Sequence, residues 1–193
     1  EEIFRSQWAL AQCHRGTEIP DTLRSVSRID GLHPAERWTE GEGACLLLTS
    51  TQTGRELAAL AWRESSAAAL PVRLGDPGLA RREAIPLVGR GAVVEGIAIA
   101  QEDSRPAHLD YLLSQSMGTW LDQGLMYALF GVPASDDGSL WNVLRRHGAG
   151  WLGAPQGEGG LRWAAMDLSM PLVVVHDLEQ LLQPQYYRQP RIR

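Results

Sequence analysis

The spacing of apolar and polar residues in the N-terminal third of the chain predicts two helices followed by a β-hairpin. Apolar residues in segment 1–14 recur at the spacing of an amphipathic helix. Segment 21–29 repeats this spacing and begins at Asp21, a residue type that caps helix N-termini. Two short apolar runs, 44–49 and 57–62, flank a polar turn that ends in glycine, which is typical of a hairpin.

The second half of the chain carries a clearer succession of strands and helices. Residues 92–100 form a nearly continuous apolar run interrupted by Glu95 and Gly96, which predicts a buried strand with a bulge. The same rules predict a helix over 108–123, a strand over 125–132, a helix over 138–147, strands over 151–153, 161–168 and 172–175, and a helical turn over 177–184. This order favours a mixed α/β domain with one central sheet.

The chain of 193 residues is long enough for one domain with a substantial core, and no internal repeat or linker divides it. We therefore predict a single domain over 1–193, with the N-terminal helices and the hairpin in 1–64. Residues 65–90 contain several prolines and glycines and predict an irregular crossing. Residues 184–193 form a basic tail that we expect to be loosely ordered.

Arginine supplies all 18 cationic side chains, because the sequence contains no lysine. Schiff-base catalysis and a Walker-type phosphate loop are excluded for this chain, since both need a lysine amine. The formal net charge of −5 argues against a nucleic-acid partner, whose binding depends on neutralising phosphates. No apolar run reaches the length of a membrane-spanning helix, so we predict no membrane span.

The two cysteines and the N-terminal residues bear on the cellular compartment. Cys13 and Cys45 lack the spacing of a metal site, so we predict two reduced thiols. The first residues, EEIFRSQW, carry acids where a signal peptide would carry bases, so no targeting segment is predicted. Together these features favour a cytoplasmic protein.

Neither the histidines nor the clustered glycines predict a metal or nucleotide site. His33, His108, His147 and His176 are scattered without zinc-type partners, so we predict no bound metal. Residues 148–153 match the glycine pattern of dinucleotide-binding loops, but they follow a predicted helix rather than a strand. We therefore interpret them as a helix C-cap and turn.

Glu95 is the most informative ionisable residue, because it stands between apolar residues on a strand that we predict to be buried. A carboxylate there must pair with a cation or favour its neutral form, since desolvation disfavours the charge. The first alternative pairs it with an arginine such as Arg63 or Arg90, and the second makes it a general base. Trp62 and Arg63, at the end of the hairpin, either line a pocket or place the indole in the core beside exposed charges.

The order of elements between residues 92 and 150 resembles the fold of the Gcn5-related N-acyltransferase (GNAT) superfamily. It comprises a bulged strand, a turn with Arg105, a helix, a second strand, a helix ending at Gly148 and a hairpin. The resemblance implies a mostly antiparallel sheet with a splayed strand pair, flanked by helices. It also implies that the pantetheine arm of an acyl thioester inserts at the splay. The implied backbone partners of that arm are Ile97, Ala98, Ile99 and Ala100.

Within this superfamily, the stretch LRRHGAGWLGAPQGEGGLRWAAMDLSM at 144–170 resembles the C-terminal part of acyl-homoserine-lactone (AHL) synthases, or autoinducer synthases. These enzymes carry a Leu-Arg-Arg-x-Gly helix end, present at 144–148, and a Leu-Gly-x-Pro strand, present at 152–155. Glu95 stands where they carry the glutamate of a Glu-x-Ser-Arg strand motif. The resemblance covers 92–170.

The activity implied by this resemblance is the transfer of an acyl group from a thioester to the amine of a small molecule. Glu95 would act as the base or as the group that positions the amine. No permanently bound cofactor is implied, and the co-substrate is acyl-CoA or an acyl-phosphopantetheine on an acyl-carrier protein.

The sequence departs from the family pattern at several positions. The serine and arginine of the strand motif fall at Ile97 and Ala98, and the general-acid tyrosine of many acetyltransferases falls at Leu144. The loop 105–110, where acetyl-CoA enzymes bind the diphosphate, contains no glycine. A phosphopantetheine donor on a carrier protein, which lacks the ADP moiety, would tolerate this loop better, and so would a catalytically degenerate binding protein. An ordinary acetyl-CoA-dependent N-acetyltransferase is the third alternative.

Arginine side chains are the expected contacts of a protein-bound donor. Arg105 stands where it can hold a single phosphate at the N-terminus of the predicted helix, while Asp110 would compete for the same amides and repel a diphosphate. Two arginine pairs, at 81–82 and 145–146, either dock an acidic carrier protein or simply face solvent.

Overall fold

The structure, a computed structural model, describes residues 3–5, 8–29, 43–67, 89–100, 106–152 and 160–169. Within these ranges the strands form one nine-stranded sheet, accompanied by two helices. The strands are β1 (Ile3–Arg5), β2 (Ala9–Arg15), β3 (Leu23–Arg28), β4 (Gly43–Ser50), β5 (Glu56–Ser66), β6 (Arg90–Ala100), β7 (Tyr127–Pro133), β8 (Gly150–Trp151) and β9 (Leu161–Asp167). The helices are α1 (Pro106–Asp122) and α2 (Ser139–Arg146). The sheet order is β1-β2-β4-β5-β6-β7-β9-β8, and β3 pairs with β6 beside this path.

Paired strands run antiparallel in the described sheet except for β6 and β7, which run parallel. A parallel pair requires a crossover connection, and α1 lies between these two strands in the chain. Both helices pack into one hydrophobic cluster on one face of the sheet. This mostly antiparallel sheet with packed helices is the fold class that the sequence resemblance implied. Neither described helix has both the length and the apolar character needed to cross a membrane.

The predicted helix over 1–14 is wrong, because this segment contains β1 and β2. Ala9 and Ala11 are fully buried, whereas the alternating Leu10 and Gln12 are only partly buried. This alternation is the period of a strand. The buried positions of this alternation are alanines, whose small side chains give a weak hydrophobic signal. The larger apolar residues nearby therefore dominate the pattern, and their spacing is that of a helix.

The second predicted helix, over 21–29, is also wrong, because this segment contains β3. Ser25 and Ser27 lie opposite two consecutive residues of β6, so Val26 is the extra residue of a bulge. A bulge shifts the strand alternation by one position. The apolar residues of β3 therefore fall at a spacing that resembles a helix.

The predicted hairpin and most elements of the second half are confirmed. β4 and β5 form the hairpin, and α1, β7, α2 and β9 lie where the periodicity predicts them. Gly148 follows α2 with a φ of 86°, the left-handed conformation that ends a helix, as predicted. The predicted strand over 172–175, the turn over 177–184, the tail over 184–193 and most of the crossing over 65–90 lie outside the described residues.

Three aromatic side chains form the centre of the hydrophobic cluster beneath α1. The Trp120 ring meets the Trp62 ring edge-on, with 5.8 Å between centroids, and lies 6.1 Å from the Phe130 ring. Trp62 is 0% exposed. Of the two alternatives that the sequence left open for Trp62, the structure contains the indole in the core.

The two cysteines are free thiols, as predicted, and they face opposite sides of the sheet. Cys13 packs against the cluster that contains α1, whereas Cys45 belongs to a cluster formed with small residues of β5 and β6. Burial raises the pKa of the Cys45 thiol to about 12. This thiol therefore stays protonated and unreactive near neutral pH.

A buried histidine and an aspartate join α1 to the end of α2. His147 Nε2 lies 3.2 Å from Asp110 Oδ1, and Arg146 donates a hydrogen bond of 2.6 Å to Asp110 Oδ2. The prediction that Asp110 competes for the first-turn amides of α1 is wrong, because the first turn contains no acidic residue and Asp110 contacts α2. Burial lowers the pKa of His147, although the carboxylate of Asp110 opposes this shift.

We expect His147 to make the protein less stable as the pH falls. Its folded pKa lies below the unfolded value of 6.5, so the unfolded chain binds this proton more tightly. The contribution of neutral His147 to the free energy of unfolding is complete above that unfolded value and is lost as the pH falls through the folded pKa. His147→Gln should flatten the pH dependence of the free energy of unfolding, measured by urea denaturation, below the unfolded pKa of 6.5. An unchanged slope in the variant would contradict this prediction.

Candidate active site

β6 carries a β-bulge at Glu95. The consecutive β5 residues Ala61 and Trp62 lie opposite Gly96 and Val94, so Glu95 is the extra residue of β6. A bulge leaves its extra residue outside the regular pairing and re-aims its side chain. The sequence predicted this interruption from the glutamate and glycine inside an apolar run.

The bulge changes which residues of β6 face the helices. Ala92 and Val94 belong to the cluster beneath α1, and beyond the bulge Ile97 and Ile99 belong to it. Without the extra residue, the two isoleucines would point to the opposite face, because side chains alternate along a strand. The bulge therefore keeps β6 apolar toward the helices while accommodating the charged Glu95.

β6 and β7 separate at the same point. Their parallel pairing runs from Gly91 opposite Tyr127 to Val94 opposite Phe130. Both strands continue beyond these residues without pairing to each other. The bulge and the splayed strand pair implied by the sequence resemblance are therefore present.

The Glu95 carboxylate forms an ion pair with Arg63 on β5. Arg63 Nε donates a hydrogen bond of 2.7 Å to Glu95 Oε1, with side-chain exposures of 27% for Arg63 and 18% for Glu95. The Arg63 guanidinium also donates to Thr17 Oγ1 at 3.4 Å. Of the two alternatives that the sequence left open for Glu95, the structure contains the ion pair. The hydrogen bond from the guanidinium holds this partly buried carboxylate in place.

The edge of β6 beyond the bulge is covered by β3. The antiparallel register runs from Leu23 opposite Ala100 to Arg28 opposite Gly96. β5 covers the other edge of β6. β3 therefore occupies the gap left where β7 separates, and it pairs with residues 97–100, the predicted partners of the pantetheine arm. Binding of a donor by these backbone groups requires β3 to leave this edge.

Hydrogen bonds connect β3 and the residue after it to both strands that border the gap, β6 and β7. The backbone N–H of Ile29, just after β3, donates a hydrogen bond of 2.9 Å to the carbonyl oxygen of Glu95. The Ser27 hydroxyl donates to the carbonyl oxygen of Gly131 on β7. A local sequence pattern does not mark β3, because one of its buried positions is Ser27, whose hydroxyl finds its acceptor only across the gap.

The structure describes only some of the arginines predicted to contact a donor. Arg105 and the arginine pair at 81–82 lie outside the described residues. Arg146 is paired with Asp110, whereas Arg145 is exposed on α2. Within the described ranges, no three His, Cys, Asp or Glu side chains converge as metal ligands would.

The Glu95–Arg63 ion pair holds at the bulge a carboxylate that has unused hydrogen-bonding capacity among the described residues. A carboxylate offers two oxygens, each with two lone pairs, and Arg63 engages Oε1. The remaining lone pairs can accept N–H groups of an amine or its proton. Chemically, this arrangement can orient an amine beside the point where β6 and β7 part.

No protein-family model matches this sequence, and no curated protein does. Solved structures do resemble it. The AHL synthase LasI is 11% identical, and the alignment covers 88% of this chain and 95% of LasI with a TM-score of 0.54. An IAA acetyltransferase from Bacillus cereus ATCC 14579 is 14% identical over 81% of this chain and 99% of its own, with a TM-score of 0.48. The ribosomal-protein-S18-alanine N-acetyltransferase from Escherichia coli is 13% identical over 83% and 95%, with a TM-score of 0.47.

The likeness to LasI extends over most of both chains, and at this level of identity it bears on the fold alone. The chain therefore has the GNAT-like fold that the sequence resemblance implied.

Proposed function

We propose that this protein is an N-acyltransferase that moves an acyl group from a thioester to the amine of a small molecule, with an AHL-type signal as the product. The observation that carries this proposal is the position of the Glu95–Arg63 pair. A charged, partly buried carboxylate is held by a bulge at the point where two parallel strands separate. The GNAT fold supports the same reaction class.

The proposed reaction consumes an amine and a thioester and yields an amide and a thiol. The amine nitrogen attacks the thioester carbonyl carbon, a C–N bond forms, and the C–S bond breaks. The proton lost by the nitrogen passes to Glu95 and then to the departing sulfur. Arg63 positions the carboxylate through its hydrogen bond to Oε1, and the remaining lone pairs face the amine and accept its proton. Backbone amides at the bulge polarise the carbonyl as negative charge develops on its oxygen.

The proposed donor is an acyl-carrier protein, with acyl-CoA as the alternative. Segment 105–110, whose residues 106–110 begin α1, has no glycine to bring backbone amides close to a diphosphate, and Arg105 can pair with one phosphate. Asp110 does not repel a diphosphate as the sequence predicted, because its charge is offset by Arg146. Exposed Arg145 remains available for docking an acidic carrier.

A binding protein without turnover on the same fold is the second candidate. It is favoured by β3, which in this structure covers the edge of β6 that a donor would use. The two candidates differ in whether an amide forms.

The proposed function is tested by offering one acyl chain on CoA and on a carrier protein, with small amines that include homoserine lactone. Mass spectrometry should detect the amide, with faster formation from the carrier-bound chain, and Arg105→Ala should weaken binding of that donor. Donor retained unchanged with no amide formed would support the binding protein instead. Efficient acetyl transfer from acetyl-CoA, unaffected by Arg105→Ala, would support an ordinary acetyltransferase.

A further inference from the structure

β3 and the predicted donor use the same backbone groups of β6. β5 pairs with β6 along its length, from Ala58 opposite Ile99 to Ser66 opposite Arg90, so one edge is permanently covered. The remaining edge beyond the bulge is paired with β3. A pantetheine arm is an extended chain with amide groups, which bond to a strand edge in the same way as a peptide strand. The two occupants therefore exclude each other.

The contacts of β3 are those of a strand that can detach. Its buried side chains are Leu23 and Ser27, and Val26 is partly buried against the cluster beneath α1, whereas Arg24, Ser25 and Arg28 are exposed. Its pairing with β6 is interrupted by its own bulge. In the described sheet, β3 forms a ladder with β6 and none with β7. Segments with few buried apolar contacts and a short ladder are those that open most readily.

β5 provides the contrast on the opposite edge of β6. It lies between β4 and β6, pairs with both, and has a continuous run of buried residues. Opening of the sheet at the β5 edge would expose a continuous run of core residues, whereas departure of β3 would remove from the core only Leu23 and the partly buried Val26 among its apolar side chains.

We propose that β3 is an internal plug of the thioester site: it occupies the edge of β6 beyond the bulge and must detach before the pantetheine arm of a donor binds. This inference rests on the proposed function, because it takes the donor to be an acyl thioester. The apparent affinity for the donor equals the intrinsic affinity multiplied by the fraction of molecules in which β3 is detached, so the plug weakens binding. By linkage, donor binding in turn favours the detached state of β3.

A reversible cross-link between β3 and β6 tests the plug. Ser25 and Ala98 lie directly opposite each other, so Ser25→Cys with Ala98→Cys brings two thiols within disulfide reach. The background carries Cys13→Ser and Cys45→Ala to prevent other pairings. The oxidised form should lose binding of both acyl-carrier protein and acyl-CoA, and reduction should restore it. Equal binding by the oxidised and reduced forms would overturn the plug.

A matched control places the same kind of cross-link far from β3. Leu10 on β2 and Thr49 on β4 lie opposite each other, so Leu10→Cys with Thr49→Cys closes a disulfide between two other strands. Oxidation of this control should leave donor binding unchanged. If the oxidised control loses donor binding as much as the oxidised β3–β6 variant does, any cross-link in the sheet blocks the site. That result would overturn the plug.

Hydrogen exchange of the ligand-free protein separates the plug from the proposed function. Amides of β3 should exchange about tenfold faster than those of β5, and donor should accelerate them further. Exchange in β3 as slow as in β5 would overturn the plug even if the enzyme is active. If the reduced protein, without the cross-link, binds neither donor, the proposed function is overturned. The exchange rate of the β3 amides in the ligand-free protein then still shows whether this strand detaches.

Discussion

Replacing Glu95 with glutamine is expected to lower the rate of acyl transfer by about 10²–10⁴-fold while leaving the fold intact. Glutamine has nearly the same shape, and its amide oxygen can still accept the hydrogen bond from Arg63 Nε. It cannot accept the proton that the attacking amine loses. The loss should therefore appear in kcat, with little change in the far-ultraviolet circular dichroism spectrum.

A matched control for this variant is Glu64→Gln on β5. Glu64 also accepts a hydrogen bond from an arginine, Arg90, at 3.0 Å, but it lies away from the bulge. Its loss should leave kcat/KM unchanged, because an exposed ion pair contributes little to the fold. Full activity in the Glu95→Gln variant would refute the catalytic role. A similar loss in both variants would point to a general electrostatic effect.

Replacing Trp120 with alanine is expected to lower the free energy of unfolding by about 3–5 kcal/mol. The side chain is fully buried and packs edge-on between Trp62 and Phe130, so its removal leaves a cavity between α1 and the sheet. Urea denaturation followed by circular dichroism measures the change. A loss below about 1 kcal/mol would contradict the packing described for this cluster.

Two further variants serve as comparisons: Trp120→Phe changes the same position more conservatively, and Met126→Ala truncates an exposed side chain outside the cluster. Among the described residues, the buried indole N–H of Trp120 has no hydrogen-bond partner, so phenylalanine removes an unsatisfied donor together with part of the ring. The free energy of unfolding should therefore fall less in Trp120→Phe than in Trp120→Ala. Met126 is 39% exposed, and its truncation should change the free energy of unfolding by no more than about 0.5 kcal/mol.

The elements of the second half could be predicted because their patterns are long and local. α1 buries Leu109, Leu112, Leu113 and Trp120, which recur at the spacing of one helix face. Such a pattern depends on positions within one segment, so it needs no knowledge of the partner. The order of these elements then led to the fold.

The elements of the first thirty residues could not be predicted, because their patterns are short and ambiguous. In β2, the alternation is carried by Ala9 and Ala11, whose small side chains give a weak hydrophobic signal. In β3, the bulge at Val26 displaces the alternation by one position. Without a long periodic run, spacing alone did not distinguish a bulged strand from a helix.

The sequence by itself determined that Glu95 interrupts an apolar strand and that its charge needs compensation, because the cost of burying a carboxylate does not depend on the fold. Only the tertiary structure decided how that need is met. The register of β5 around the bulge brings Arg63, 32 residues away in the chain, to 2.7 Å from the carboxylate. The tertiary structure likewise placed β3 on the edge of β6. Strand pairing is made by backbone groups that every residue carries, so the choice of partner leaves little trace in the local sequence.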